Sequence, residues 1–377
     1  MKAAGLVFSH LHDEIVPELT KYRTMASVPF GGRYRLIDFT LSNMVNAGID
    51  KVGIITNYNY RSLLDHIGTG KDWDLARRSG GIKLLSPFIT AYNAGGVAGV
   101  YSTRLEAMLS SVNFISECSE DVVVCSDCDI ICNIDLSQVI AYHLSSGADI
   151  TLVTKRSGDV GNVTSRHSAV ICDGDGRITD VHACTPDDGP DTAICTNIMV
   201  ISRAYLLSVL GDAAAYGYTS FFRDIMSRNV GRANYRAFPL DGFYAIINSM
   251  AGYFECSMSL LDGSVRRELF GIEGRPVYTK VRNSAPSLFL PGSSVTNSLV
   301  ADGCVIEGEV RNSVIFRGVR IARGTRVENS VIMQDGIIGG GCSLNCVVAD
   351  KNAVVRDGRV LSGHSTMPFF IGKGIMV

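Results

Sequence analysis

Asn312-Ser313-Val314-Ile315-Phe316-Arg317-Gly318-Val319-Arg320-Ile321-Ala322-Arg323-Gly324-Thr325-Arg326-Val327 opens with a tetrapeptide that returns along the C-terminal part of the chain. Asn297-Ser298-Leu299-Val300 precedes it, and Asn329-Ser330-Val331-Ile332 and Asn345-Cys346-Val347-Val348 follow, at intervals of 15 to 17 residues. Within each interval aliphatic residues step by six: Val300 and Ile306, then Ile315, Ile321 and Val327, then Ile332, Ile338 and Leu344. Gly303, Gly308, Gly318, Gly324, Gly336 and Gly341 punctuate the steps. This period predicts a parallel β-helix in which each coil turns three short faces around an aliphatic axis. Such a prism has open ends, so the apolar tail Met367–Val377 is expected to be either a packed cap or a subunit contact.

Upstream the texture is different. Short apolar runs such as Lys51–Thr56, Asp121–Cys125 and Asp149–Thr154 alternate with helical patterns such as Ser102–Leu109 and Leu136–His143. Phe243 to Leu261 reads as a last strand followed by a helix. This alternation predicts a mostly parallel, Rossmann-like α/β sheet. The expected division is a first domain over 1–255, a linker over 256–290 and the β-helix over 291–377.

Composition narrows the classes. The 377 residues carry a formal net charge of −2, are 46% apolar and are 19% charged, with the charges interspersed. That balance fits a soluble two-domain protein and offers no electrostatic footprint for nucleic acid or an anionic membrane. The N-terminal stretch Met1–Phe8 is too short an apolar run for a signal peptide or a spanning helix, so a cytoplasmic location is expected. Cys125, Cys128 and Cys132 have a spacing that resembles a metal site. However, a buried strand turns alternate side chains to opposite faces, so reduced core cysteines are expected there.

A second stretch carries the function. Val28-Pro29-Phe30-Gly31-Gly32-Arg33-Tyr34-Arg35-Leu36-Ile37-Asp38-Phe39, continuing to Asn43, together with Tyr60-Arg61-Ser62-Leu63, His66-Ile67-Gly68 and Trp73-Asp74-Leu75, resembles bacterial glucose-1-phosphate adenylyltransferase. That family is the ADP-glucose pyrophosphorylase of glycogen synthesis, and the resemblance runs along essentially the whole chain. It implies a GT-A-type nucleotidyltransferase domain followed by a left-handed β-helix. It also implies a reaction in which backbone N–H groups and cations cradle a triphosphate while a carboxylate pair holds Mg²⁺.

The family's working parts are largely missing. Its glycine-rich loop falls on Ser9 to Val16, which contains no glycine and has Ile15 where an Arg belongs. A loop without glycine does not easily bring its backbone against phosphates, and Asp13 and Glu14 add repulsion. Its Lys-Pro-Ala falls on Met25-Ala26-Ser27, and its adenine-side motif falls on Thr103-Arg104-Leu105-Glu106-Ala107, with a bulky Arg for a small residue. Asp129 matches the first Mg²⁺ carboxylate, with Asp127 beside it. Its alternative role is to cap the next segment. Ile246 stands where the second carboxylate belongs, and no Lys occupies the sugar-phosphate position near Ala183-Cys184-Thr185-Pro186.

What the resemblance implies is therefore the regulatory, catalytically silent D-type subunit, working in a heterotetramer with a catalytic subunit that carries the Mg²⁺. Catalytic residues are expected to be absent. The residual substrate-binding candidates are Asp127, Asp129, Arg33 and Arg35, with Asp129 also the residual metal ligand. Two rivals stay open. One is a weak nucleotidyltransferase in which Asp127 and Asp129 hold Mg²⁺ and Arg104 or Lys21 replaces lost cations. The other is a sensor for a sugar phosphate or nucleotide, with Arg33, Arg35 and Arg61 near the effector phosphate. An acyltransferase of the β-helix type is disfavoured, because the sole C-terminal His, His364, lies beyond the regular coils.

Overall fold

The computed structural model describes residues 2–86, 101–160, 163, 164 and 166–377. Its first domain is built on a nine-stranded sheet. The strands Ala3–Phe8, Lys51–Ile55, Gly81–Leu85 and Val122–Asp127 run parallel, with Phe8 opposite Asp127 and Phe8 opposite Ile55. That register sets the loop after Phe8 over the carboxyl end of the central strand, where α/β sheets place their ligands. Both faces are covered, which is why these strands read as continuous apolar runs. Val122 and Val124 enter one core and Val123 and Cys125 the other.

The sheet is mixed rather than mostly parallel. The ten-residue strand Ala193–Ser202 runs antiparallel to Val122–Asp127, Ile150–Arg156 and Ser168–Cys172. Periodicity reports burial and not strand direction, so this inversion was invisible in the apolar pattern. The cysteines follow the strand argument. Cys125 faces one core while Cys128 and Cys132 face the other, and burial pushes the Cys125 and Cys132 thiols up to about 12.

The β-helix has three faces of five parallel strands each. The six-residue steps are its axis: Ile306, Ile315, Ile321, Val327, Ile332, Ile338 and Leu344 are all buried, and Val300 in the first coil is half-buried. The recurring Asn has a local cause. Asn297, Asn312 and Asn329 turn the corner with φ of 43°, 46° and 45°, a left-handed conformation that Asn tolerates better than most residues. Their side-chain amides form a ladder, from Asn297 to Asn312 (2.9 Å), Asn312 to Asn329 (3.4 Å) and Asn329 to Asn345 (2.8 Å). In the fourth repeat the positive φ moves to Cys346, and Val331 pairs with Val348 instead of Val347, so the tetrapeptide slips by one residue. Phe369–Ile371 adds the last strand of one face, so the apolar tail completes the helix from within the chain.

The stretch expected as a linker holds more structure than that. Helix Met250–Ser259 ends in it, helix Gly263–Phe270 lies inside it, and the first β-helix strand already begins at Leu288. Leu260 and Leu269 are fully buried in a third core that joins the domains. In that core Phe30, Leu36 and Phe39 meet Tyr253 and Phe254 on one side and Val314, Phe316, Val331 and Met333 of the coils on the other. Beside it Arg23 donates twice from one nitrogen to the two oxygens of Asp350, each at 2.9 Å, with both side chains almost wholly excluded from water.

A buried ion pair that loses one partner leaves the other charge without compensation. Arg23→Ala is therefore expected to lower stability by about 3–5 kcal/mol. Arg23→Met combined with Asp350→Leu should recover most of that loss, and urea unfolding followed by circular dichroism reads both.

Candidate functional site

At the end of the Val122–Asp127 strand two carboxylates lie out of water, Asp127 and Asp129. Neither caps the following helix. Asp135 does that, accepting from the Ser137 and Gln138 N–H groups at 3.1 and 3.4 Å. Asp127 Oδ2 instead accepts from Arg104 Nη2 at 2.5 Å and meets His12 Nε2 at 2.9 Å. The same imidazole nitrogen lies 3.4 Å from Asp129 Oδ2. Oδ1 of each carboxylate is buried without a hydrogen-bond partner.

The electrostatics follow from this contact set. Burial pushes the Asp127 carboxyl up, but Arg104 and His12 outweigh it and hold it below its ordinary value. Burial, with Asp127 adding to it and His12 opposing it, raises Asp129 to about 6. For His12 burial works downward, and Asp129 and Asp127 together reverse it and lift the imidazole to about 9. Of the two residues proposed from sequence as substitute cations, Arg104 reaches Asp127. Lys21 does not, because its ammonium lies over the Tyr22 ring at 5.3 Å. His12 was missed, because sequence reading weighed the loop for its lost glycines and not for what replaced them.

The loop itself is folded on its own side chains. Asp13 accepts the Met25 N–H at 2.6 Å, and its carbonyl accepts from Thr20 Oγ1 at 2.5 Å. Ser9 holds the Ile55 carbonyl at 2.8 Å, and the Ala26 N–H donates to the Ser9 carbonyl at 3.2 Å. A backbone donor that could meet a phosphate is thus taken by a resident carboxylate. Asp13 is pushed up to about 7, mainly by burial. Across the site, strand Tyr244–Ile246 pairs with Ile130–Cys132 and sets Ile246 opposite Ile130, next to Asp129. The position matched to the family's second carboxylate is thus aliphatic, on the strand that pairs with Ile130–Cys132. Strand Ile178–Ala183 runs up to the position of the expected sugar-phosphate Lys and brings Ala183 and Cys184. Lys155 is tied to the carbonyls of Leu240 and Gly242 at 3.1 and 2.9 Å.

These residues do not fit Mg²⁺. The ion takes oxygen ligands in near-octahedral array and keeps several waters. Here one oxygen of each carboxylate faces His12, Asp127 is also paired with Arg104, and the carboxylates are closed off from solvent.

Arg33 and Arg35 lie elsewhere, in a cleft between the first domain and the coils. They sit on a hairpin whose strands pair Pro29 with Arg35 and Phe30 with Tyr34. Gly31 and Gly32 make its turn with φ of 58° and 83°, and a side chain on Gly31 would also press on Leu260 at 3.2 Å. Arg35 donates to the Ser62 carbonyl and hydroxyl at 2.5 and 2.9 Å, and its N–H donates to Asp38 at 3.0 Å. Asp38 meets His66 at 2.5 Å, and His66 packs edge-on against Trp73. Lys280, Arg282, Arg317 and Lys351 converge on the same cleft, with His66 and Gln334; Arg61 is not among its lining residues. Burial, then Arg35 and Arg23, push Lys351 down to about 6, and burial lowers Arg35 to about 10. Arg317 is paired with Asp302 at 3.0 Å and Lys280 donates to the Asp65 carbonyl, yet basic side chains still outnumber acidic ones along the cleft, which favours a small anion.

The comparisons with known proteins agree with this division. Residues 16–181 match the nucleotidyl transferase family, and residues 291–365 match the GlmU-like C-terminal hexapeptide family. The glycogen biosynthesis protein GlgD of Bacillus subtilis is 30% identical over 374 residues, covering 99% of this chain and 96% of that protein. The glucose-1-phosphate adenylyltransferase of Thermotoga maritima is 34% identical over 316 residues, which are 82% of this chain and 72% of that enzyme. That of Bacillus cytotoxicus is 31% identical over 347 residues, 91% of this chain and 90% of the enzyme. Among the described residues no helix is long and apolar enough to cross a membrane. This chain therefore belongs to the nucleotidyltransferase family of glycogen biosynthesis that includes GlgD and the glucose-1-phosphate adenylyltransferases.

Proposed function

We propose that this chain is a regulatory, non-catalytic subunit of glucose-1-phosphate adenylyltransferase that modulates a catalytic partner in a hetero-oligomer, a heterotetramer by analogy with the family. One observation carries the reading: the family's carboxylate position is engaged by the chain's own Arg104 and His12, within an otherwise whole fold. The unliganded second carboxylate position at Ile246 and the self-bonded Ser9–Val16 loop support it. Losing a single charge-stabilising group typically costs on the order of 10²–10³ in rate, and several such groups differ here. Modulation would act through the subunit interface by favouring the partner's competent conformation, a coupling of typically about 1–3 kcal/mol.

A second feature supports regulation. The interdomain cleft around Arg33, Arg35 and Lys351 gathers basic side chains around a space of only about 10 Å³, so it matches the anionic group of an effector such as a sugar phosphate rather than the whole molecule. Anything bound there would bridge the hairpin and the coils, and so bias how the two domains sit.

Two outcomes test these readings. ADP-glucose formation should be near background for this chain alone and should rise, or shift in substrate affinity, when it is co-expressed with a catalytic subunit. Substantial turnover by the lone chain would favour the rearranged-enzyme alternative. Lys351, largely neutral above pH 6, should be driven toward its charged form by a bound dianion. Sulfate binding followed by calorimetry at pH 7.5 in buffers of different ionisation enthalpy should therefore show proton uptake, and Lys351→Met should abolish that uptake.

A further inference from the structure

We infer that Arg104 and His12 are resident counter-cations that close the Asp127–Asp129 pair to divalent metal, so that taking both away opens a metal site in this chain. This rests on the reading of the same site as non-catalytic and gives it a physical cause. The closure is built in rather than incidental. Arg104 begins the helix Arg104–Ser110, whose start is fixed by a reciprocal bond pair. Thr103 Oγ1 accepts the Glu106 N–H at 3.2 Å, and Glu106 accepts the Thr103 N–H at 3.2 Å. The guanidinium then lies between the Phe8 and Phe222 rings, 5.8 and 5.5 Å from their centroids, and only its edge reaches Asp127. A guanidinium keeps its charge at any pH a protein survives, so this cation does not leave by deprotonation.

His12 completes the closure, reaching the same Asp127 oxygen as Arg104. It enters from the loop after Phe8, which the sheet register sets across from Asp127. Its Nε2 lies within 3.4 Å of both carboxylates, so it spans the space an ion would need. The three residues have ligand atoms within 4.8 Å of one another, the one such cluster among the described residues. With His12 and Arg104 removed, the two carboxylates left are oxygen donors that suit Mn²⁺. The fixed guanidinium on Asp127 is what turns this donor set from a metal site into a filled one. Two unpartnered carboxylate oxygens, Asp127 Oδ1 and Asp129 Oδ1, remain to receive an ion once the cations are gone.

The test uses Mn²⁺ alone, followed by electron paramagnetic resonance on the full chain. Wild-type protein should show no Asp129-dependent Mn²⁺ binding up to about 1 mM. His12→Ala combined with Arg104→Ala should acquire one Mn²⁺ with an affinity at least about tenfold better than that limit, and adding Asp129→Asn should remove it. A wild-type chain whose bound Mn²⁺ is lost on Asp129→Asn would overturn the inference, as would a folded double variant that binds none. If the double variant does not fold, Arg104→Gln combined with His12→Gln keeps hydrogen bonds without the charge and is read by the same criteria. No turnover is measured in this experiment. Metal binding by the wild type would therefore remove the closure and leave the subunit reading to the mixing assay.

Discussion

Two carboxylates buried at the end of a central strand must have positive charge beside them, and the source of that charge decides what the surrounding fold does. Asp127 and Asp129 are fully enclosed, and isolated ionised carboxylates in such a place carry a desolvation penalty of several kcal/mol each, to order of magnitude. Here Arg104 and His12 supply the compensation from within the chain. The consequences run outward from that pairing. The helix beginning at Arg104 is anchored to the strand end, and the loop from Ser9 to Val16 is drawn over it. The loop then needs no phosphate to order it, because Asp13, Ser9 and Thr20 bond its backbone and flanks. The contacts that hold the domain here thus engage one oxygen of each carboxylate and the Met25 N–H.

The second constraint is the junction of the domains. The Val28–Phe39 stretch serves it directly: its hairpin and helix insert Phe30, Leu36 and Phe39 between the α/β domain and the coils. Arg23 and Asp350 close the junction with a buried ion pair. The basic residues of the hairpin are left facing the cleft, where they gather with Lys280, Arg317 and Lys351. The Val28–Phe39 stretch thus packs the junction with its apolar residues and lines the interdomain cleft with Arg33 and Arg35. This separation gives the proposed division of labour a physical basis: the carboxylate site is filled from inside while the junction and its cleft remain fully formed.

Much of the fold was legible because a period is a burial pattern. The six-residue steps named the residues of the β-helix axis, and the strand alternation found Val122–Asp127, Ile150–Arg156 and the strand–helix pair Tyr244–Ile246 and Met250–Ser259. The antiparallel course of Ala193–Ser202 was not legible, since a strand buried on both faces has the same apolar run in either direction. Nor was the content of 256–290, where a short amphipathic helix buries Leu269 between domains. At the site, residue types gave what was lost, as at Ile246 and Met25, and position in the motif placed Asp129 correctly at the strand end. The gain of His12 required the register of Phe8 with Asp127, which joins residues more than a hundred positions apart. Arg33 and Arg35 read as substrate-binding candidates in the sequence, and the hairpin turn places them on the interdomain cleft, apart from the Asp127–Asp129 pair.

The most direct measurement of whether the filled site has lost its chemistry is the reverse reaction in the lone chain. Labelled diphosphate and ADP-glucose would be incubated with Mg²⁺ and a high concentration of this chain, and labelled ATP sought. A chemically silent site predicts no label in ATP above the protein-free blank. Label incorporation that disappears on Asp129→Asn would contradict it, and would make this chain an enzyme working with a rearranged site.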